Sequence, residues 1–216
     1  MIITWLGHSS FKIQTQNAVI LTDPYDSSIG LRMPKVNADL VLITHDHADH
    51  NNMEILTGTP FIVNSPGEYE VRGVFAHGVQ AFHDEKNGAE RGAITIYRIE
   101  ADDMKLGFLG DLGQKKLNDE QFENMNGLDI IFIPVGGNYT IDGKAAAELI
   151  TELEPRIVIP MHYKIPGLSA KVSITGVEPF MKQMGITSNG KEDRLKISKK
   201  DLPQEDTRVV ILRPAV

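Results

Sequence analysis

The chain has 216 residues, of which 41% are hydrophobic and 24% charged, and its formal net charge is −7. These values are ordinary for a globular protein and predict a single domain over residues 1–216. The acidic balance argues against a nucleic-acid partner, because proteins that bind phosphate backbones need a basic surface. The chain contains no cysteine, which excludes disulfide bonds and thiolate metal sites.

The sequence also predicts where the protein works. No apolar run approaches the ~18 residues that a membrane span needs. The first residues, Met1 to Leu6, carry neither a basic stretch nor a cleavage motif. We therefore expect a cytoplasmic protein that does not associate with a membrane. The pattern does not indicate an oligomeric state.

The first half of the chain is predicted to consist mainly of strands. Short apolar or alternating runs predict them at 2–6, 10–15, 18–21, 40–44, 61–63, 69–83, 93–99 and 105–109. A short helix is predicted over 51–56, ending before Gly58 and Pro60. The runs at 93–99 and 105–109 should form a hairpin that turns at 101–103.

The second half alternates strands and helices. Strands are predicted at 128–135, 156–160, 195–198 and 208–212. Helices are predicted after Asn118, from Asp142 to about Glu154, and over 177–184, with Pro155 ending the second. This mixture predicts an α/β (α+β) fold in which two mixed β-sheets pack face to face with helices outside.

The most informative stretch is His45-Asp46-His47-Ala48-Asp49-His50, which holds three of the seven histidines. It directly follows the predicted strand 40–44, so a loop at a strand end carries the cluster. Neutral imidazole together with carboxylate suits a cation such as zinc. We predict that His45, His47, Asp49 and His50 are metal ligands and that Asp46 is a polar loop residue.

Three further polar residues follow apolar strands in the same way, namely His83, Asp111 and His162. A site for two metal ions needs about six or seven ligands, and these three would complete it. The alternative to His83 is His77, which is more typical of a strand or surface histidine. The alternatives for the other two are a turn aspartate and a core histidine.

The pattern His-x-His-x-Asp-His resembles the signature of the metallo-β-lactamase superfamily. The opening stretch from Trp5 to Phe11, WLGHSSF, is similar to that of its ascorbate-phosphate lactonase-like branch. The resemblance implies a four-layer αββα sandwich. It implies one metal held by His45, His47 and His83, a second held by Asp49, His50 and His162, and Asp111 as the bridge. It also implies that Asp23 orients the metal loop by accepting a hydrogen bond from a ligating histidine.

The predicted chemistry is hydrolysis by a binuclear zinc enzyme, with Mn²⁺ or Fe²⁺ as other metals that this ligand set tolerates. A hydroxide that bridges two metal ions can attack an ester, a lactone or a phosphoester. Asp49 is the candidate to take the proton or hold the nucleophile. His8 and Tyr139, with Asn138 and Tyr163, are candidates to contact substrate because their loops should open near the metals; a turn histidine is the alternative for His8.

The substrate is predicted to be a small molecule. Two divalent ions, two carboxylates and one hydroxide leave about +1 at the site, which would also attract an anionic substrate. Two other functions stay open: a metal-dependent phosphodiesterase or nuclease, and a non-catalytic metal-binding protein on the same fold.

Overall fold

The computed structural model describes residues 1–187 and 190–215. Its strands are β1 (Ile2–Gly7), β2 (Ser10–Gln14), β3 (Val19–Thr22), β4 (Val36–Asn37), β5 (Leu40–Leu42), β6 (Leu56–Thr57), β7 (Phe61–Val63), β8 (Gly67–Val71), β9 (Val74–Phe82), β10 (Ala93–Ala101), β11 (Met104–Phe108), β12 (Ile130–Pro134), β13 (Ile157–Met161), β14 (Leu195–Lys196) and β15 (Arg208–Val209). Its α-helices are α1 (Asp119–Met125), α2 (Gly143–Leu153) and α3 (Glu178–Gln183).

The first large sheet has six strands in the order β14-β1-β2-β3-β5-β7. Its first strands pair antiparallel, whereas β3, β5 and β7 run parallel. All three residues of β5 are buried, which explains why this strand is continuously apolar rather than alternating. The loop that follows β5 therefore starts from a rigid, fully packed strand.

The second large sheet has seven strands in the order β15-β13-β12-β11-β10-β9-β8. The strands from β8 to β11 pair antiparallel, and β11, β12, β13 and β15 run parallel. Parallel neighbours end at the same edge of a sheet. The residues that follow β11 and β13 are thereby brought to one edge.

The two sheets pack against each other through buried side chains. The rings of Phe11 on β2 and Phe132 on β12 lie 4.5 Å apart. The hydroxyl of Tyr97 on β10 donates to the carbonyl of Ile43 at 2.7 Å, and the amide of Thr95 donates to the carbonyl of Thr44 at 2.8 Å. These contacts fix the end of β5 against β10. That 1–216 is a single domain stays a prediction.

The helices begin where the sequence indicates. Asn118 and Gln121 form a reciprocal capping box at α1, and the carboxylate of Asp142 accepts from two backbone amides at the start of α2. Helix α1 contacts β9 and α2 contacts β12. The fold is thus mixed α/β and dominated by its sheets, and the predicted fold class is confirmed.

Some predicted elements are wrong in detail. The segment 51–56 is one 3₁₀ turn, Met53–Ile55, because Leu56 leaves it to pair with Val36 in the small β4-β6 sheet. The single strand predicted over 69–83 is a hairpin of β8 and β9. Arg72 and Gly73 both adopt positive φ at its turn, 52° and 74°, a backbone that reverses the chain tightly. The last strands, β14 and β15, are shorter than predicted.

No helix in the described ranges has the length and apolar character that crossing a membrane requires.

Candidate metal centre

The structure brings all seven predicted ligands together at one edge of the sandwich. The loop after β5 carries His45 to His50, and His83, Asp111 and His162 follow β9, β11 and β13. Each of these side chains is linked to the next by a short contact, so that strands distant in sequence meet at one point. As ligand assignments they stay predictions.

Asp111 lies at the centre of this cluster. Its Oδ2 is 3.1 Å from Nε2 of His162, 3.2 Å from Nε2 of His50 and 3.5 Å from Nε2 of His83. Ser9 donates to its other oxygen at 3.3 Å. Asp111 is 2% exposed. One carboxylate oxygen that faces three imidazoles has the position expected of a bridge between two cations.

The histidines form two groups. In one, His45, His47 and His83 present ligand atoms that all lie within 4.8 Å of one another, and these are the three residues that the resemblance assigns to the first metal. In the other, His50 and His162 lie within the same distance of His8. Asp49 borders this second group, with Oδ2 3.8 Å from His50 Nε2 and 3.2 Å from His8 Nε2.

Asp23 orients two of these histidines at once. Its Oδ2 accepts from His50 Nδ1 at 2.9 Å and from the Thr44 hydroxyl at 2.7 Å, while Oδ1 accepts from the Thr44 amide at 2.8 Å. The Thr44 hydroxyl gives its proton to Asp23, and therefore its oxygen accepts a hydrogen bond from Nδ1 of His45 at 2.9 Å. Both rings are thus held with Nδ1 protonated and Nε2 available, as metal-binding histidines usually are.

The available nitrogens test whether a metal fits. Nε2 of His45 is buried and has no hydrogen-bond partner among the described residues. Nε2 of His50 is also buried, and it faces Asp111 Oδ2 at 3.2 Å without a well-aligned hydrogen bond. A buried polar atom without a partner costs about 1–3 kcal/mol. These nitrogens, in a set of imidazoles and carboxylates, match the donors that zinc, manganese or iron(II) use. The residues therefore fit a metal centre.

Burial sets the charge states of the cluster. Burial and the neighbouring His50 lower the pKa of His45 to about 2, and burial and His162 lower the pKa of His8 to about 4. Burial also lowers the pKa of His83. Burial alone would raise the pKa of Asp111, but the charges of His162 and His50 hold it well below its usual range. Burial would lower the pKa of His50, but the Asp111 charge raises it well above its usual value. An ionised Asp111 beside the neutral imidazoles of His8, His45 and His83 is a donor set that can bind a cation.

Backbone geometry places two of the histidines. His8 and His162 adopt positive φ, 52° and 51°, and the His162 amide donates to the His8 carbonyl at 3.1 Å. Two glycines, Gly136 and Gly113, allow their own segments to pass close to the backbone of His162 and of His83. A Cβ at Gly136 would lie 2.2 Å from the His162 carbonyl oxygen, and one at Gly113 would lie 2.3 Å from the His83 carbonyl. Sequence reasoning missed both glycines, because their partners are distant in sequence.

A cavity of about 440 Å³ opens onto the cluster. Its walls include His47, Asp49, His83, Asp111 and His162, and also Tyr139. The walls further include residues that sequence reasoning did not single out, namely Ser28, Ile29, Ala48, Glu90, Arg91, Lys171 and Val172. The cavity therefore offers room for a small molecule directly against the proposed ligands.

Other predicted residues lie elsewhere. Tyr163 is 3% exposed and packs against Trp5 at 5.0 Å between rings, so the expectation that it opens toward the site is wrong. Asn138 donates to the Ser173 carbonyl at 2.8 Å and is not part of the cavity wall. His77 pairs with Asn124 at 2.8 Å. Asp46 is exposed and accepts from a neighbouring asparagine.

Comparisons with known proteins agree with this geometry. A family model described as a β-lactamase superfamily domain matches residues 2–162, which ends at the last of the predicted ligands. A UPF0173 protein of Pyrococcus abyssi is 33% identical, over 77% of this chain and 85% of its own length. A UPF0173 metal-dependent hydrolase of Thermococcus onnurineus is 31% identical, over 74% and 84%. A crystal structure from Thermotoga maritima, described as a candidate Zn-dependent hydrolase of the metallo-β-lactamase superfamily, superposes with a TM-score of 0.77 at 32% identity and covers 98% of both chains.

Proposed function

The chain belongs to the β-lactamase superfamily, and from that premise we propose that it hydrolyses an ester, lactone or phosphoester of a small molecule with the help of two metal ions, zinc first among them. Hydrolysis that depends on a metal is the activity named for its relatives. The number of ions, the choice of zinc and the small-molecule substrate belong to our proposal.

The observation that carries the proposal is the position of Asp111. Its Oδ2 lies within 3.5 Å of three imidazole nitrogens from three different segments. We assign His45, His47 and His83 to one ion and Asp49, His50 and His162 to the other, with Asp111 between them. His8 lies beside the second group and could add a nitrogen donor there.

The chemistry divides between the metals and the chain. When bound, two such ions supply a hydroxide nucleophile at neutral pH and polarise the oxygen under attack. Burial opposes ionisation of Asp49, but the hydrogen bond from His8 and the charge of His50 hold its pKa below the usual range. Asp49 is 33% exposed at the cavity wall, where an ionised carboxylate can accept a proton from the nucleophile or orient it.

Two other residues would assist the reaction. His8 points Nε2 at Asp49, so it positions that carboxylate. Tyr139 lies in the cavity wall, where its hydroxyl can donate to a substrate oxygen. The cavity of about 440 Å³ lies within the range of small-molecule sites, roughly 300–1,000 Å³, and this favours a small substrate over a nucleic acid.

The proposal is tested by metal analysis followed by a panel of esters, lactones, phosphomonoesters and phosphodiesters. His45→Ala removes one nitrogen donor and should lower hydrolysis by more than ~100-fold, because loss of an orienting partner alone costs about 10–100-fold. The matched control is His77→Ala, a histidine whose ring bonds Asn124 away from the cluster. This control should keep both metal and activity.

Two results would contradict the proposal. Equal hydrolysis by His45→Ala and the parent protein would remove the metal cluster from the reaction. Bound metal without turnover of any compound in the panel would favour a non-catalytic metal-binding protein. A third result, turnover confined to phosphodiesters, would narrow the proposal to the phosphodiesterase alternative.

A further inference from the structure

Two cationic side chains, Arg91 and Lys171, line the same cavity as the metal cluster. We propose that they bind an anionic group of the substrate, a carboxylate or a phosphate, that is separate from the bond to be cleaved. This inference rests on the proposed hydrolysis and adds the class of substrate to it. The substrates would be anionic esters or lactones rather than neutral ones.

The segment that carries Arg91 is organised by a single carboxylate. Asp84 directly follows His83, and its two oxygens accept from four backbone amides, those of Lys86, Gly88, Glu90 and Arg91, at 2.7–3.0 Å. The loop is therefore wrapped around the Asp84 carboxylate, and the hydrogen bond from its own amide fixes the position of the Arg91 backbone.

The guanidinium of Arg91 lies against the ring of Tyr139, 5.6 Å from its centroid. This cation–π contact orients the planar group and leaves its N–H edge available. Within residues 1–187 and 190–215, no carboxylate forms an ion pair with Arg91 or Lys171. Both charges are thus available to a ligand, and a guanidinium edge matches the two oxygens of a carboxylate or phosphate.

The other charged residues of the cavity have partners already. Glu90 faces the cavity but pairs with Lys86 at 2.6 Å. Asp49 and Asp111 face His8 and the cluster histidines. Arg91 and Lys171 are therefore the cationic side chains of this cavity wall, and neither has a carboxylate partner among the described residues. Their position, on the same cavity as the proposed ligands, indicates an anion rather than a surface contact.

A matched pair of chromogenic esters tests the inference on the metal-loaded protein. Mono-4-nitrophenyl succinate carries a carboxylate, and its methyl ester does not, while the bond to be cleaved is the same. The parent protein should prefer the acid by about 10- to 100-fold in kcat/KM, the size of one charge-assisted hydrogen-bonded pair. Arg91→Gln should remove most of this preference, and Arg91→Lys should keep a larger part of it. Lys171→Gln should lower the ratio by a smaller factor, because a lysine makes no bidentate pair.

The matched control is Arg194→Gln, which removes the same charge from an exposed arginine that does not line the cavity and should leave the ratio unchanged. The inference would be overturned by a ratio of acid to methyl ester near 1 in the parent protein, or by a ratio in Arg91→Gln equal to that of the parent. Neither result would contradict the proposed hydrolysis.

If neither ester is cleaved, calorimetric titration with succinate and with inorganic phosphate decides. Binding to the parent protein that is weaker in Arg91→Gln, but not in Arg194→Gln, supports the anion site even though hydrolysis of these esters fails. Tighter binding of one probe identifies that group as the carboxylate or the phosphate. Equal binding by parent and Arg91→Gln, or none by the parent, overturns the inference.

Discussion

Asp23 acts on the cluster from outside it. Through one oxygen it holds His50 directly and, through the Thr44 hydroxyl, it also sets the ring of His45. The site is therefore oriented by a carboxylate that is 0% exposed and, in our assignment, touches no metal. Burial raises the pKa of Asp23 although His50 opposes the effect, so its ionised form depends on these donors.

Asp23→Asn should weaken metal binding by about 10–100-fold. The asparagine keeps one acceptor, but its amide group would face two other donors, the His50 Nδ1–H and the Thr44 hydroxyl. The measurement is a competition titration against a chromophoric chelator. Asp46→Asn is the control, since Asp46 is an exposed member of the same loop. Unchanged affinity in Asp23→Asn would show that Asp23 does not orient the ligands.

At the scale of elements, the site depends on how closely loops from different strands approach. His83 lies in the loop after β9, and Gly113 lies in the loop after β11. The Gly113 amide donates a hydrogen bond to the Phe82 carbonyl at 2.9 Å. Any side chain at 113 would collide with backbone rather than with a flexible side chain. The packing of one loop on the next thus fixes the position of the His83 ring.

Gly113→Ala should destabilise the protein by about 1–3 kcal/mol, the usual cost of overpacking, and should lower its metal content because His83 must move. Urea unfolding and metal analysis of the purified variant measure the two effects. Gly190→Ala is the control, since a Cβ there meets no atom of the described residues within 4 Å. Full metal content in Gly113→Ala would mean that the His83 backbone need not stay where it is.

At the scale of the whole molecule, the buried histidines couple stability to pH. In the metal-free protein, folding lowers the pKa of His8 to about 4 and of His45 to about 2, from 6.5. The unfolded chain therefore binds more protons below pH 6.5, and stability is lost as pH falls from 6.5 toward these values. Folding changes the pKa of His50 in the opposite direction, because the charge of Asp111 outweighs burial and raises that pKa. The stabilisation of the folded state by protonated His50 is already largely present at pH 7.

The metal-free protein should accordingly lose stability between pH 7 and pH 5. The expected loss is up to about 2 kcal/mol for each of His8 and His45, or several degrees in Tm at about 2–4 °C per kcal/mol. Thermal unfolding after chelation measures it. His45→Ala should show a shallower dependence on pH. A Tm of the metal-free parent that is equal at pH 5 and pH 7 would contradict these charge states.

Sequence reasoning predicted most strands, the helix starts and the seven residues that converge. It could do so because these features depend on short segments of the chain. A polar residue that ends an apolar strand is visible in the chain itself, as at His83, Asp111 and His162. The pattern of apolar runs likewise predicted two mixed sheets. Where the local pattern was ambiguous, as over 51–56, long-range pairing of Leu56 with Val36 decided the outcome.

The sequence by itself determined which residue types the site would contain and at which strand ends they would lie, because strand periodicity and ligand chemistry are properties of short segments. Only the tertiary structure decided that His8 joins His50 and His162, that Asp23 reaches His45 through Thr44, and that Arg91 faces the same cavity. These are contacts between segments distant along the chain, and their geometry is set by how the two sheets pack.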